Sequence, residues 1–445
     1  MTAHAGRPLS ATPWPLGAST GPTGDPFRDC VRCGLCLESC PTYTLHGDEA
    51  QSPRGRLILL DALREGRLLP TRDVVEPLES CLVCRSCETA CPSGVRFGHL
   101  METGRRRLHE DPQGRRAQPP WRRAVSRLLL RGLEDPKGRL RLARLARRLQ
   151  DAGLFRRIEA SPALADAAPW IRSAASLMPR LSDPFVPAPE TEGRPDGSGT
   201  TGTVLVFSGC VTPWAFPEAS RAVDRVARRL ARQVVYPAGQ VCCGALHLHH
   251  GDHEGAVRLA RKNLLAFATE LDAPIIAEAA GCGAALKSYP ELLRDVPLLR
   301  DQAERFSARV RDFSEWVIAS GPPRGERRGV RVVFQDPCHL FHVQRVRDAP
   351  RRLLADVAGM TIVEAPEREI CCGSAGITNL LQPDDGRRLG ERKADALSSA
   401  RPDLVVTSNP GCLLQLRRHM PSRGVPVRHL AEALDAHWPD DGPSI

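Results

Sequence analysis

Long apolar runs are missing from these 445 residues. No uninterrupted stretch approaches the roughly 18–20 residues that a bilayer-spanning helix needs. A spanning helix is therefore excluded, and any membrane contact is expected to be peripheral. The first residues also lack the apolar core of a secretory signal, so structural disulfides are disfavoured and a cytoplasmic chain is expected. Aromatic residues make up only 4% of the chain. Lysine is nearly absent: of 62 basic residues only Lys137, Lys262, Lys287 and Lys393 are lysines. That arginine bias speaks of genome composition more than of selection for phosphate contacts, which weakens the nucleic-acid reading that a net charge of +10 invites. The excess is also local. Residues 101–160 hold 17 Arg or Lys against 7 Asp or Glu, a net +10, so the remainder sums to zero. No nucleic-acid partner is expected; steeply salt-dependent DNA retention would mark the contrary case.

Cysteine, by contrast, is abundant, with 16 residues. Eight fall into two copies of one pattern, Cys30-x-x-Cys33-x-x-Cys36-x-x-x-Cys40-Pro41 and Cys81-x-x-Cys84-x-x-Cys87-x-x-x-Cys91-Pro92. This is the ligand run of bacterial two-cluster ferredoxins. Three thiolates hold one [4Fe–4S] cube and the fourth reaches across to the other. Cys30, Cys33, Cys36 and Cys91 are thus expected on one cube, and Cys81, Cys84, Cys87 and Cys40 on the second. Zinc sites use Cys-x-x-Cys pairs too, but usually as two separated pairs around one ion. Movement of single electrons is the implied chemistry.

The chain divides by composition. Residues 1–25 read as a disordered leader rich in Pro, Gly, Ser and Thr. Residues 26–104 form the ferredoxin-like unit, an α-helical domain in which Ser52-Pro53 opens a helix striped by Leu57, Leu60 and Leu63. Residues 105–184 are basic and helical in pattern. There Leu140 to Leu149 alternates apolar and basic residues, as either a packed helix with a solvated arginine face or a helix that docks on a membrane or partner. Residues 185–202 read as a linker.

The second half is duplicated. Residues 203–320 carry Cys210, Cys242-Cys243-Gly244 and Cys282; residues 330–440 carry Cys338, Cys371-Cys372-Gly373 and Cys412. Short apolar runs, Val204–Phe207 and Val332–Phe334, precede the first cysteine of each set; Pro274–Ala277 and Leu404–Thr407 precede the last. Each copy reads as strand, Cys loop, helix, strand, Cys-Cys-Gly loop, helix, strand, Cys loop. That alternation implies an α/β domain with parallel sheets, so the whole is an α+β multidomain chain. Loops after parallel strands gather at the carboxyl edge of a sheet, so the four thiols of a copy can converge there on a metal cluster or a redox thiol site. Gly244 and Gly373 would let the backbone crowd that ligand. His339 and His342 flank Cys338, and His247, His249, His250 and His253 follow the first Cys-Cys-Gly. They either tune a cluster through hydrogen bonds to sulfur or are polar loop residues. No nucleotide fingerprint is present: Gly321-Pro-Pro-Arg-Gly325 neither follows a strand nor opens a helix. No catalytic residue is assigned.

Cys30-Val-Arg-Cys-Gly-Leu-Cys-Leu-Glu-Ser-Cys-Pro-Thr-Tyr43, with Gly47-Asp48-Glu49, Ser52-Pro-Arg-Gly-Arg56 and the matching run Cys81 to Val95, resembles the iron–sulfur subunit of bacterial glycolate oxidase. The Cys-Cys-Gly repeats are similar to that family's second half, shared with heterodisulfide reductase subunits and lactate-utilisation proteins. The resemblance covers roughly residues 26–440 and is weakest over 105–200. It implies a subunit that takes electrons from flavin-binding partner subunits, which carry FAD and oxidise glycolate to glyoxylate. The subunit would pass them to an acceptor such as quinone, with peripheral contact at the inner face of the cell membrane. D-lactate, another 2-hydroxy acid or glycerol 3-phosphate could replace glycolate, and a heterodisulfide-reductase-like thiol/disulfide role is the other reading. The fuller repeat of those reductases ends in Cys-x-x-Cys. Here only Cys282 and Cys412 stand in those places, so a further ordinary cluster, a redox thiol site and an empty scaffold all stay open.

Overall fold

The computed structural model describes residues 24–162, 169–188, 190–192, 201–269 and 272–439. Most of the 1–25 leader therefore lies outside the described residues, as do 189 and 193–200 of the 185–202 linker.

In the front section short helices join the two cysteine runs. Ser52 caps the helix Pro53–Arg64 by accepting from the Gly55 amide at 2.9 Å, and Pro53 sits in its first turn. Leu57, Leu60 and Leu63 face inward, as their spacing expects, and pack with Val75, Leu78, Leu100 and Met101. The helix Phe97–Glu110 crosses closely because residue 104 is glycine; a Cβ there would collide with Leu60. Arg105 beside it is buried. Its guanidinium donates to the carbonyls of Leu78, Glu79 and Cys81, the last at 2.6 Å, and to His249 O at 2.6 Å. One side chain thus satisfies the end of the helix Arg72–Glu79 and ties the front section to the second half. The basic segment is helical where described, in Pro112–Ala117, Pro120–Glu134, Pro136–Asp151, Leu154–Ala160 and Pro169–Leu177.

The second half holds two sheets. The first orders β1 (Glu190–Glu192), β3 (Ala231–Val235), β2 (Thr201–Phe207), β4 (Ile275–Ala277) and β5 (Val310–Asp312) as β1-β3-β2-β4-β5. The second orders β7 (Thr361–Ile362), β6 (Arg331–Phe334), β8 (Leu404–Thr407) and β9 (Val427–His429) as β7-β6-β8-β9. All pairings are parallel except β1 with β3. The two copies therefore share one topology, and the parallel sheets expected from the strand–helix alternation are present. Val204, Leu205, Val206 and Phe207 are all fully buried, as strands covered on both faces must be.

Three features differ from the sequence expectation. Each copy has a fourth strand, β5 or β9, whose three residues are too few to give a periodic signal. Cys282 and Cys412 lie not in loops but in the first turns of the helices Ala280–Lys287 and Pro410–His419. Part of the 185–202 stretch is ordered: β1 pairs antiparallel with β3, Glu190 opposite Val235, and Thr201 opens β2.

The two sheets share a core that includes Val206, Ile276, Phe334 and Val406. The carboxyl ends of β4 and β8 abut, with the Ala280 amide donating to Ser408 O at 3.0 Å and the Gly281 amide to Asn409 Oδ1 at 3.1 Å. Across the same seam Arg225 and Arg229 share the Asp435 carboxylate, with contacts of 2.8 and 2.7 Å. The fourth strands end alike: Asp312 caps the helix Phe313–Ala319 and His429 caps Leu430–Ala436, each with a glutamate closing the box. His429 accepts from the Ala431 amide through Nδ1 and donates from Nε2 to Glu278 O at 3.1 Å, which locks the neutral ring.

Burial pushes His429 down to about 4. An unfolded histidine titrates near about 6.5, so this group's contribution is full above that pH and is lost as pH falls toward about 4. Thermal unfolding followed from pH ~7.5 to ~5 should show a loss of about 2 kcal/mol from this site. His429→Asn, which keeps a capping acceptor, should flatten that slope; an unchanged slope would refute the assignment.

Candidate functional site

The front cysteines separate into two groups in space. Cys30, Cys33, Cys36 and Cys91 line one small cavity, and Cys40, Cys81, Cys84 and Cys87 line another. Each group joins three cysteines of one run to the last of the other. Cys33 is exposed and its three neighbours half-buried, whereas Cys81, Cys84, Cys87 and Cys40 are all buried. One centre is outer and one inner.

The loops that carry them repeat an unusual backbone. Arg32 and Gly34 flank Cys33 at φ +59° and +84°, and Val83 and Arg85 flank Cys84 at +49° and +63°. A β-branched residue such as Val83 rarely adopts that region, at a cost of about 1–3 kcal/mol. The strain sustains a tight turn around the middle cysteine of each run, in which the Val83 amide donates to Cys81 Sγ at 3.5 Å. Val83 is held from outside: its carbonyl accepts from His339 Nε2 at 3.0 Å.

Electrostatics ask for an anion. Arg56 is 1% exposed. Its guanidinium donates to Pro77 O at 2.7 Å, Thr42 Oγ1 and Gln51 Oε1 at 2.8 Å, Ser80 Oγ at 3.1 Å and Cys40 Sγ at 3.7 Å. No carboxylate pairs with it among the described residues, so the thiolate group at the inner centre is its counter-charge. The thiols cannot supply that charge unaided. Burial and then the neighbouring Cys338 push Cys84 well up, burial and then Cys84 push Cys87 up, and burial pushes Cys36 to about 11. A bound cationic core is what lets several adjacent thiols ionise together. Among the described residues no three of these sulfurs lie mutually within 4.8 Å, whereas a single tetrahedral zinc would hold its sulfurs about 3.8 Å apart. The donor set, four thiols in each group, fits a multi-iron cube.

The remaining eight cysteines meet at a third place. Cys210, Cys242, Cys243, Cys282, Cys338, Cys371, Cys372 and Cys412 line one cavity of about 150 Å³, with Leu82, His249, His339 and Asn409 in its wall. Convergence within one copy follows from loops at a sheet's carboxyl edge. Convergence of both copies does not, because it depends on the β4–β8 seam. Cys242 and Cys210 sulfurs are 3.4 Å apart, as are Cys372 and Cys412 at 3.5 Å. Cys242 is held well down by thiol donors beside it, first Cys210, and Cys372 likewise, first by Cys371. Lys393, 1% exposed, donates to Glu367 O and Arg368 O; burial pushes it down, against the opposing influence of Cys372, Asp336, Cys371 and Cys412.

Gly244 and Gly373 do not face this cavity's contents. At φ +86° and +84° they turn the chain against the next helix, where a Cβ would crowd Ala256 Cα at 3.3 Å or Leu389 Cβ at 2.6 Å. The histidines divide. His339 bridges the inner centre's loop to the cavity, its ring 5.1 Å from that of His249. Burial, and then His249, keep it neutral, at about 3. His342 braces the same junction, with Thr89 Oγ1 2.8 Å from Nδ1 and its Nε2 donating to Glu369 O at 3.0 Å. His249 Nδ1 is 2.9 Å from Glu102. His247 stands between Cys242 and Glu134, 3.0 Å from the latter. His250 is buried near Arg105 and pushed down to about 3, first by burial, and His253 is half-buried at a helix start.

The inner centre touches this cavity. Cys84 and Leu82 pack with Cys371, Cys338 and Leu389. Sequence reasoning gave no sign of that contact, nor of Arg56, Arg105 and Lys393 as buried charges; an arginine in an apolar helix stripe is the only hint the chain offers.

Known families match the same segments. The 4Fe-4S dicluster domain matches residues 26–95, and the Cysteine-rich domain matches twice, at 204–287 and 332–417. The probable glycolate oxidase iron-sulfur subunit of Bacillus subtilis (strain 168) is 33% identical over 420 residues, covering 91% of this chain and 93% of its own. The glycolate oxidase iron-sulfur subunit of Escherichia coli (strain K12) is 33% identical over 416 residues, 92% and 93% of the two chains. A crystal structure of a hypothetical protein from Helicobacter pylori shares the fold, with a TM-score of 0.54 at 9% identity over 89% of this chain and 70% of that one.

Removing the buried guanidinium tests its role. Arg56→Met should lower the midpoint potential of the inner centre, because the reduced, more negative state loses its counter-charge, and should destabilise the fold by about 3–5 kcal/mol. A redox titration followed by EPR should show the outer centre unmoved. An unshifted inner potential in a folded, iron-loaded variant would contradict the assignment.

Proposed function

The chain belongs to the glycolate oxidase iron–sulfur subunit family, and from that premise we propose that it conducts electrons from a flavoprotein that oxidises glycolate to an acceptor such as quinone. Oxidation of glycolate to glyoxylate releases two electrons and two protons; an FAD-bearing partner takes the pair. Two [4Fe–4S] cubes supply one-electron steps here, one held by Cys30, Cys33, Cys36 and Cys91 and one by Cys81, Cys84, Cys87 and Cys40.

The protein's own residues give the path a direction. Exposed Cys33, between exposed Val31 and Leu35, offers the edge where a donor can come close. Arg56 favours an extra electron at the inner site, and Leu82 and His339 hold that site against the eight-thiol cavity. A further iron–sulfur centre in that cavity is the third station, fed through the packed cluster that Cys84 and Leu82 share with Cys371 and Cys338. That cluster is the observation that carries the proposal. The exit is a peripheral contact with the cell membrane's inner face. No helix of the described residues is long and apolar enough to cross a membrane.

Reconstitution tests this reading. Mixed anaerobically with its flavoprotein, the full chain should lose visible absorbance when glycolate is added. Leu35→Asp should slow that bleaching about tenfold or more while leaving chemical reduction by dithionite intact. Bleaching by D-lactate or glycerol 3-phosphate but not by glycolate would reassign the donor, and no bleaching by any of them would reject the role.

A further inference from the structure

The helix Pro136–Asp151 buries one residue, Ala143. Two stripes run side by side around the rest. Leu142, Leu145 and Leu149 follow at helical spacing on one face and are 60%, 52% and 36% exposed. Lys137, Arg141, Arg144 and Arg148 occupy the adjacent face, all exposed, and none has an ion-pair partner among the described residues. No acidic residue occurs between Asp135 and Asp151. Leu128, 73% exposed, adds to the apolar surface from the preceding helix Pro120–Glu134.

An ordinary surface helix buries its leucines and leaves its arginines in water. This one leaves both out. Apolar side chains beside unpaired cations, with no interspersed acid, suit the boundary of a bilayer: the leucines enter the acyl region and the arginine stems bend back to the phosphates. A protein groove could take the leucines, but it would need a row of carboxylates matched to four cations. An anionic membrane presents that charge everywhere. The chain's whole net charge of +10 resides in residues 101–160, so its field points this face at such a surface.

We propose that Pro136–Asp151 is the chain's docking helix on an anionic lipid bilayer. The proposal rests on the electron-transfer reading only for its purpose, delivery to a membrane-borne acceptor.

Flotation of the full chain with vesicles tests it. Phosphatidylcholine vesicles containing phosphatidylglycerol should bind the chain, pure phosphatidylcholine should bind it at least about tenfold more weakly, and added salt should release it. Leu142→Asp with Leu145→Asp, and separately Arg141→Glu with Arg144→Glu and Arg148→Glu, should each cut binding about tenfold or more. Unchanged iron content and visible spectrum would show that the variants are folded. Absence of binding, equal binding to both vesicles, or variants that bind like the parent would overturn the proposal. So would displacement of the vesicles by the flavoprotein, which would make the helix a protein–protein interface. Failure of the electron-transfer reading would instead appear as missing iron with vesicle binding intact.

Discussion

A buried guanidinium without a carboxylate is a charge that the surrounding structure must neutralise. Arg56 is enclosed among neutral partners, and among the described residues the acidic group it touches is the Cys40 thiol of the inner centre. Burial makes Cys84 and Cys87 resist ionising for the same reason that Arg56 resists burial. A cationic metal core bound by thiolates, negative overall, resolves both costs at once. The strained turns at Val83 and Arg85, the buried cysteines and Arg56 then belong to one arrangement. Lys393, beside the second repeat's thiols, brings a buried cation to the third group of sulfurs as well, there shared with the Asp336 carboxylate.

Duplication builds that third group. Each copy alone brings four thiols to the carboxyl edge of a small parallel sheet. The seam between β4 and β8, with its amide contacts from Ala280 and Gly281, turns the two edges toward one another, so that eight thiols share one cavity. The copies are not equivalent. The second, through Cys338 and Cys371, meets the inner centre of the front section; the first, through His247, meets Glu134 of the basic segment. On the proposed path, an electron entering at the outer centre would reach the second copy's side of the cavity first.

Much of this was legible in the chain. The paired Cys runs give the front section's chemistry, and the matched intervals of the Cys-Cys-Gly sets give the duplicated parallel fold. What was not legible has physical causes. Three-residue strands such as Val427–His429 carry no period. Cys282 and Cys412 follow glycine and look like loop residues, yet helices start there: Ser408 and Asn409 across the seam receive the Ala280 and Gly281 amides of the first, and the second opens on Pro410. Gly244 and Gly373 sit beside cysteines in sequence but answer to the next helix in space. Contacts between distant segments, such as the cluster joining Cys84 and Cys371 or the bond from Arg105 to His249, leave no local trace. The basic helix Pro136–Asp151 fits neither a plain packed helix nor a solvated one, and only side-chain exposure distinguishes it.

The central claim is that eight front sulfurs hold two neighbouring iron–sulfur cubes, the inner one pressed against the thiol cavity. EPR of the anaerobically purified, fully reduced chain tests it most directly. The account predicts signals from at least the two front cubes, broadened through mutual spin coupling, with that coupling lost when Cys84→Ala removes an inner ligand. A single isolated signal, or none, from a protein with its iron intact would contradict it.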